Sequence, residues 1–129
     1  MFRVINVTKT FLPDYQLYSS YLKRAWDAVW LTNRGELTLE LEAKIKEKYS
    51  INNLIITNNG TIPIQIALKL LGNQGEIITT PFSYVATTSA IIWENCKPVF
   101  VDIHPELLTI DETKIEAAIT PKTTAILEN

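Results

Sequence analysis

The stretch NNGTIPIQIALKL, residues 58–70, decides how this chain is read. Before it stands Leu54-Ile55-Ile56-Thr57, short and apolar like a buried strand. After the glycine comes an apolar run with Pro63 in its first turn, where a missing N–H is tolerated in a helix. A strand at 54–57, a turn on Gly60 and a helix over 61–71 are therefore expected, with the first helical N–H groups facing the turn. That geometry suits an anion, most often a phosphate. The same residues also fit a plain strand–helix turn, with Gly60 for flexibility and Thr61 as cap. The residues alone leave both readings open.

Outward from this stretch the period alternates. Strands are expected at 76–80, 97–103 and 124–127, and helices at 84–94 and 111–119. Gly72 is placed to stop the first helix and Asp111 to cap the last. Strands alternating with helices imply parallel pairing, and the lack of polar alternation implies helices on both faces. Upstream, residues 1–13 read as an extended arm ending at Pro13, and 14–30 as a helix broken by LTNRG. Residues 36–49 restart a helix, with Leu37, Leu41, Ile45 and Tyr49 as an apolar stripe. Glu40/Lys44 and Glu42/Lys46 are expected as i,i+4 pairs on its solvated side.

Composition narrows the function. With 129 residues, 47% hydrophobic and 20% charged, the chain suits one domain with a core rather than a disordered one. A net charge of −2 without a long basic run argues against a nucleic-acid surface. The start carries no unbroken apolar signal core, and no run reaches transmembrane length. A soluble cytoplasmic protein is the default expectation. The single cysteine, Cys96, excludes an internal disulfide and reads as a small buried filler. One His and one Cys far apart fit no metal spacing, and the lone His104 has no evident partner for a Ser-His-Asp arrangement.

In an open α/β sheet, ligands gather beyond the carboxyl ends of the strands. Three such ends are expected together: Asn58-Asn59-Gly60-Thr61, Thr80-Pro81-Phe82-Ser83-Tyr84 and Asp102-Ile103-His104. An anion cradle beside an exposed ring suits a flat, phosphorylated cofactor. Against this, Phe82 and Tyr84 fit ordinary core packing, Asp102 fits a turn or cap, and His104 a surface turn before Pro105. No lysine lies at an expected strand end. The chain closes on TTAILEN directly after its last expected strand and reads as cut off in mid-domain.

Several motifs in order resemble the DegT/StrS-type sugar aminotransferases, pyridoxal-phosphate enzymes of the aspartate aminotransferase fold. WLTNRGELTLELEAKIKEKY is similar to their amino-terminal segment, and NNGTIPIQIALKLLG to their phosphate loop and helix. GEIITTPFSYVATTSAI and KPVFVDIHPELLTIDETKIEAAITPKTTAIL are similar to the strands and helices that follow. The resemblance implies an α/β fold: the amino-terminal part of the type I large domain, a mainly parallel sheet with flanking helices. It implies an arm and helices over residues 1–50, and the first half of the cofactor-binding domain over 51–129.

It also implies pyridoxal phosphate as cofactor, held by Thr61 and the backbone of Gly60 and Ile62, with Tyr84 stacked on the ring. His104 stands where the family often has Asp, in a variable turn. The Schiff-base lysine and the carboxylate facing the pyridine nitrogen would lie beyond residue 129, so no catalytic residue is expected within the chain. An inactive fragment follows, from a parent that moves an amino group from glutamate to a nucleotide-linked keto sugar in cell-surface or secondary-metabolite sugar biosynthesis. A homo-oligomer is implied. Two alternatives stay open: a fragment of a pyridoxamine-phosphate-dependent sugar dehydrase, or a non-catalytic truncated binding or oligomerisation module.

Overall fold

The computed structural model describes residues 8–128. The chain divides after Ile56 into two units. No helix among the described residues is long and apolar enough to cross a membrane.

The first unit contains two helices. Part of the expected arm over 1–13 lies outside the described residues, and residues 8–13 form no helix or strand. Helix α1 spans Tyr15–Asp27, opened by Asp14, whose carboxylate accepts from Leu17 N at 2.8 Å. It stops before the expected Trp30 because Val29 takes a left-handed conformation (φ 51°), which a β-branched residue does not hold inside a helix. Helix α2 spans Glu36–Tyr49, as expected, and ends at Ser50 in the left-handed region.

The expected solvated face of α2 needs correction. Glu40 does pair with Lys44, at 2.5 Å. Glu42, however, is 5% exposed and bonds Arg34 rather than Lys46. Of the expected apolar stripe, Leu37 and Ile45 are half-buried while Leu41 and Tyr49 are exposed, so the deepest α2 side chain is a paired carboxylate.

The second unit is a parallel sheet with helices on both faces. Helix α3 (Thr61–Leu71) leads through a tight turn to β1 (Glu76–Thr79). Helix α4 (Val85–Trp93) leads to β2 (Lys97–Phe100), and a 3-10 turn (Glu112–Lys114) with α5 (Ile115–Ala118) leads to β3 (Thr123–Ile126). The strand order is β2-β1-β3, both pairs parallel, with a register shift opposite Glu76 and Ile77.

All four β1 residues are buried, which explains their lack of polar alternation. Ile77 packs with Leu68, Ala90, Ile91 and Cys96, against α3 and α4. Ile78 points the other way, to Val101 and Ile110, with Ile115 and Ala118 beside them. Burial of each such isoleucine is worth about 1.5–3 kcal/mol. Cys96 is the buried filler expected. Gly72 ends α3 as expected, and the reason is close packing: a Cβ there would meet Leu68 O at 2.6 Å and Cys96 Sγ at 2.7 Å.

One expected strand is absent. Residues 54–57 form no ladder with any described strand, and Ile55 is exposed. An apolar tetrapeptide becomes a strand only when a neighbour satisfies its backbone groups. Residues 111–119 form a short 3-10/α element rather than one continuous helix, although Asp111 caps it, accepting from Thr113 N at 3.1 Å.

Candidate cofactor-phosphate turn and aromatic edge

The direction of α3 follows from its carboxyl end. Gly72 O accepts a 2.7 Å hydrogen bond from the Thr124 hydroxyl, at the amino end of β3, and Gly72 crowds Cys96, just before β2. The end of α3 therefore lies at the amino edge of the sheet, and its start lies one helix length, about 16 Å, away from that end. Helix α4 leaves the carboxyl end of β1 and returns to the start of β2, so its N-terminus lies at the carboxyl edge. Two of the expected site segments are thus the turn before α3 and the segment Thr80–Tyr84, the latter at the carboxyl edge.

At the first of these, Asn59 closes the turn. Its Oδ1 accepts from Thr61 N at 3.0 Å and from Ile62 N at 3.1 Å, and its Nδ2 donates to Asn58 Oδ1 at 2.8 Å. The Thr57 hydroxyl donates to Asn59 O at 2.8 Å. The helix cap is therefore Asn59, not Thr61, the pattern in which an Asn oxygen takes the N–H groups two and three residues on. The sequence carried that signal in an Asn two positions before Thr61. Gly60 has helical angles (φ −76°, ψ −20°), so flexibility does not require glycine there. A Cβ on Gly60 would meet nothing within 4 Å, so the side-chain direction at Gly60 faces open space.

At the second, the chain leaves β1 with both sheet faces already filled by Ile77 and Ile78. Thr80 Oγ1 accepts from Phe82 N at 3.2 Å, and the Ser83 hydroxyl donates to Thr87 Oγ1 at 2.9 Å. Phe82 is 60% exposed and Tyr84, the residue before α4, is 80% exposed. Core packing of these rings is corrected: they stand beyond the sheet, where no helix covers them. Among the described residues, no hydrogen bond joins Tyr84 to the Asn59 turn.

The third segment plays a structural part. Asp102 Oδ1 accepts from Ile103 N at 2.8 Å, and Asp102 O accepts from Asp111 N at 2.9 Å. His104 Nδ1 accepts from Glu106 N and Leu107 N, both at 3.3 Å. Both are the turn residues the sequence suggests.

A parallel sheet with helices on both faces, built from alternating helices and strands, places this unit in the α/β class of the type I transferase fold. The chain belongs to the DegT/DnrJ/EryC1/StrS aminotransferase family, whose model matches residues 16–128. It is 46% identical over 125 residues to the dTDP-4-amino-4,6-dideoxy-D-glucose transaminase of Escherichia coli, a match covering 97% of this chain and 34% of that protein. The solved structure of DesI in the presence of its TDP-sugar product superposes with a TM-score of 0.80 at 32% identity, over 89% of this chain and 29% of that one. NtdA from Bacillus subtilis with bound cofactor PMP gives 0.82 at 30% identity, over 91% and 28%. The chain thus spans about a third of the length of these curated relatives.

Proposed function

We propose that this chain is the amino-terminal part of a pyridoxal-phosphate-dependent aminotransferase that moves an amino group from glutamate to a keto group on a nucleotide-linked sugar. The identity to the Escherichia coli relative favours a dTDP-linked sugar. In this reading residues 1–50 are an arm with helices, and 51–129 begin the cofactor-binding domain. The setting is cytoplasmic, in polysaccharide or secondary-metabolite sugar synthesis, and the assembly is a homodimer.

The observation that carries the reading is the convergence of the Thr61 and Ile62 N–H groups on a single acceptor beside the open space at Gly60. A phosphate oxygen fits where Asn59 Oδ1 now sits, and Gly60 leaves room for its neighbours. In the proposed roles Gly60, Thr61 and Ile62 hold the phosphate, and Tyr84 lays its ring on the pyridine ring. The bound cofactor supplies an electron sink for the carbon that loses its proton. These residues bind and orient. None of them is placed to move that proton.

The protein encoded by the complete reading frame tests this. Supplied with pyridoxal phosphate, glutamate and a dTDP-linked 4-keto sugar, it forms the amino sugar, detected by mass. Failure to aminate any dTDP-, UDP- or GDP-linked keto sugar overturns the reading.

A further inference from the structure

We propose that Asn59 is a built-in placeholder for the cofactor phosphate: its carboxamide oxygen occupies the phosphate's own donors and must swing away before the phosphate can bind. This rests on the reading of the turn as the cofactor-phosphate site.

The two N–H groups that would hold the anion, Thr61 and Ile62, are already bonded to Asn59 Oδ1 at 3.0 and 3.1 Å. A backbone N–H that points at one acceptor cannot give a full hydrogen bond to a second. The phosphate and the side chain therefore compete for the same donors. The side chain can leave at low cost, because the turn is also closed by the Thr57 hydroxyl on Asn59 O, which does not use the carboxamide. On leaving, its Nδ2 gives up Asn58 Oδ1, an exposed contact that water replaces. The side-chain direction at Gly60 is open, with nothing within 4 Å of a Cβ placed there, so that side of the turn is not walled off.

The placeholder has two consequences. Without cofactor, the first turn of α3 stays capped, so the donors remain aimed. With cofactor, part of the binding free energy is spent on displacing the cap, which sets a weaker affinity than the open turn would show.

The test uses the 129-residue chain and two probes, inorganic phosphate and pyridoxal 5′-phosphate, read by the Thr61 and Ile62 amide resonances. Inorganic phosphate reads the turn alone, and the second probe adds the ring. Asn59→Ala should bind phosphate about threefold to tenfold more tightly than wild type, the span an ordinary helix cap represents. Asn59→Ser, with a shorter acceptor, should fall between. Asn59→Asp, whose carboxylate holds the same N–H groups and repels the anion, should bind at least about tenfold more weakly. Far-UV circular dichroism confirms that each variant is folded. A wild type that binds while Asn59→Ala binds equally or more weakly overturns the placeholder and leaves the cofactor site standing. Absence of saturable shifts in all four proteins overturns the cofactor site, and the placeholder with it.

Discussion

Arg34 reaches back across the α1–α2 turn to Glu42, the most buried side chain of α2, with Nε 3.2 Å from Oε1 and a second contact from Nη2 to Oε2. Arg34 itself is left-handed (φ 60°), so the pair fixes a turn that its backbone does not favour. The Arg34 guanidinium holds the Glu42 carboxyl below its ordinary range, against the opposing effect of burial. Arg34→Ala should therefore lower the thermal midpoint by several degrees, because a buried carboxylate loses its partner. Arg34→Ala combined with Glu42→Leu should recover most of the loss. Melting curves of the single and double variants check this, and equal midpoints for wild type and Arg34→Ala would refute it.

Asp111 gives a pH dependence. The Lys114 ammonium, then the Thr113 hydroxyl, holds its carboxyl down from 3.8 to about 2. A depressed folded-state value contributes stability that is complete above the unfolded value and lost as pH falls through the folded one. Between about pH 4 and pH 2, wild type should lose stability more steeply than Asp111→Asn, which keeps an acceptor for Thr113 N but no charge. Acid titrations followed by circular dichroism decide it. Parallel limbs for the two proteins would mean that Asp111 contributes nothing through its charge.

Thr79 is 1% exposed, and its hydroxyl has no hydrogen-bond partner among the described residues. Leaving a buried hydroxyl unpaired costs about 1–3 kcal/mol, and valine has nearly the same shape. Thr79→Val should be neutral or stabilising by up to about 1 kcal/mol. Urea denaturation with an unchanged slope measures it, and a clear loss of stability would show that the hydroxyl is satisfied in solution.

Lysine placement predicts the outcome of reductive labelling. Lys69 sits on the exposed side of α3 near Glu94, and Lys97, bonded to Glu76 at 3.0 Å, lies with Lys122 at the amino edge. Lys114, on the α5 side, is held by Asp111 at 2.8 Å. None of these four accompanies the Asn59 turn. Borohydride reduction of the 129-residue chain with pyridoxal phosphate should scatter label over exposed lysines. Peptide mapping that finds one stoichiometric lysine would contradict this.

The exposed apolar surface of α1 and of the turn that follows it predicts assembly. Leu22, Trp26, Val29 and Trp30 all stand in solvent, Trp26 at 72% exposure. Such a patch is commonly covered by a partner. The chain should form a homo-oligomer or aggregate, read by light scattering across a tenfold dilution. A sharp monomer mass with a cooperative melt would refute it.

The parallel α/β plan, the helix over Thr61–Leu71, the Asp111 cap and the buried Cys96 were legible in the residues, because each depends on a local period or on one side chain's chemistry. The sequence also carried the family, since linked motifs in order are far more specific than any single turn. Three other points depended on contacts between distant parts of the chain. Residues 54–57 look like a strand, but a ladder needs a neighbour that propensity cannot supply. Glu42 matched an i,i+4 surface pair, yet the turn carrying Arg34 brought a stronger partner from outside the helix. Phe82 and Tyr84 fitted either core packing or an exposed aromatic face at the strand end, and the residues alone left both open. They stay in solvent because Ile77 and Ile78 had already filled both faces of the sheet before the chain reached its edge.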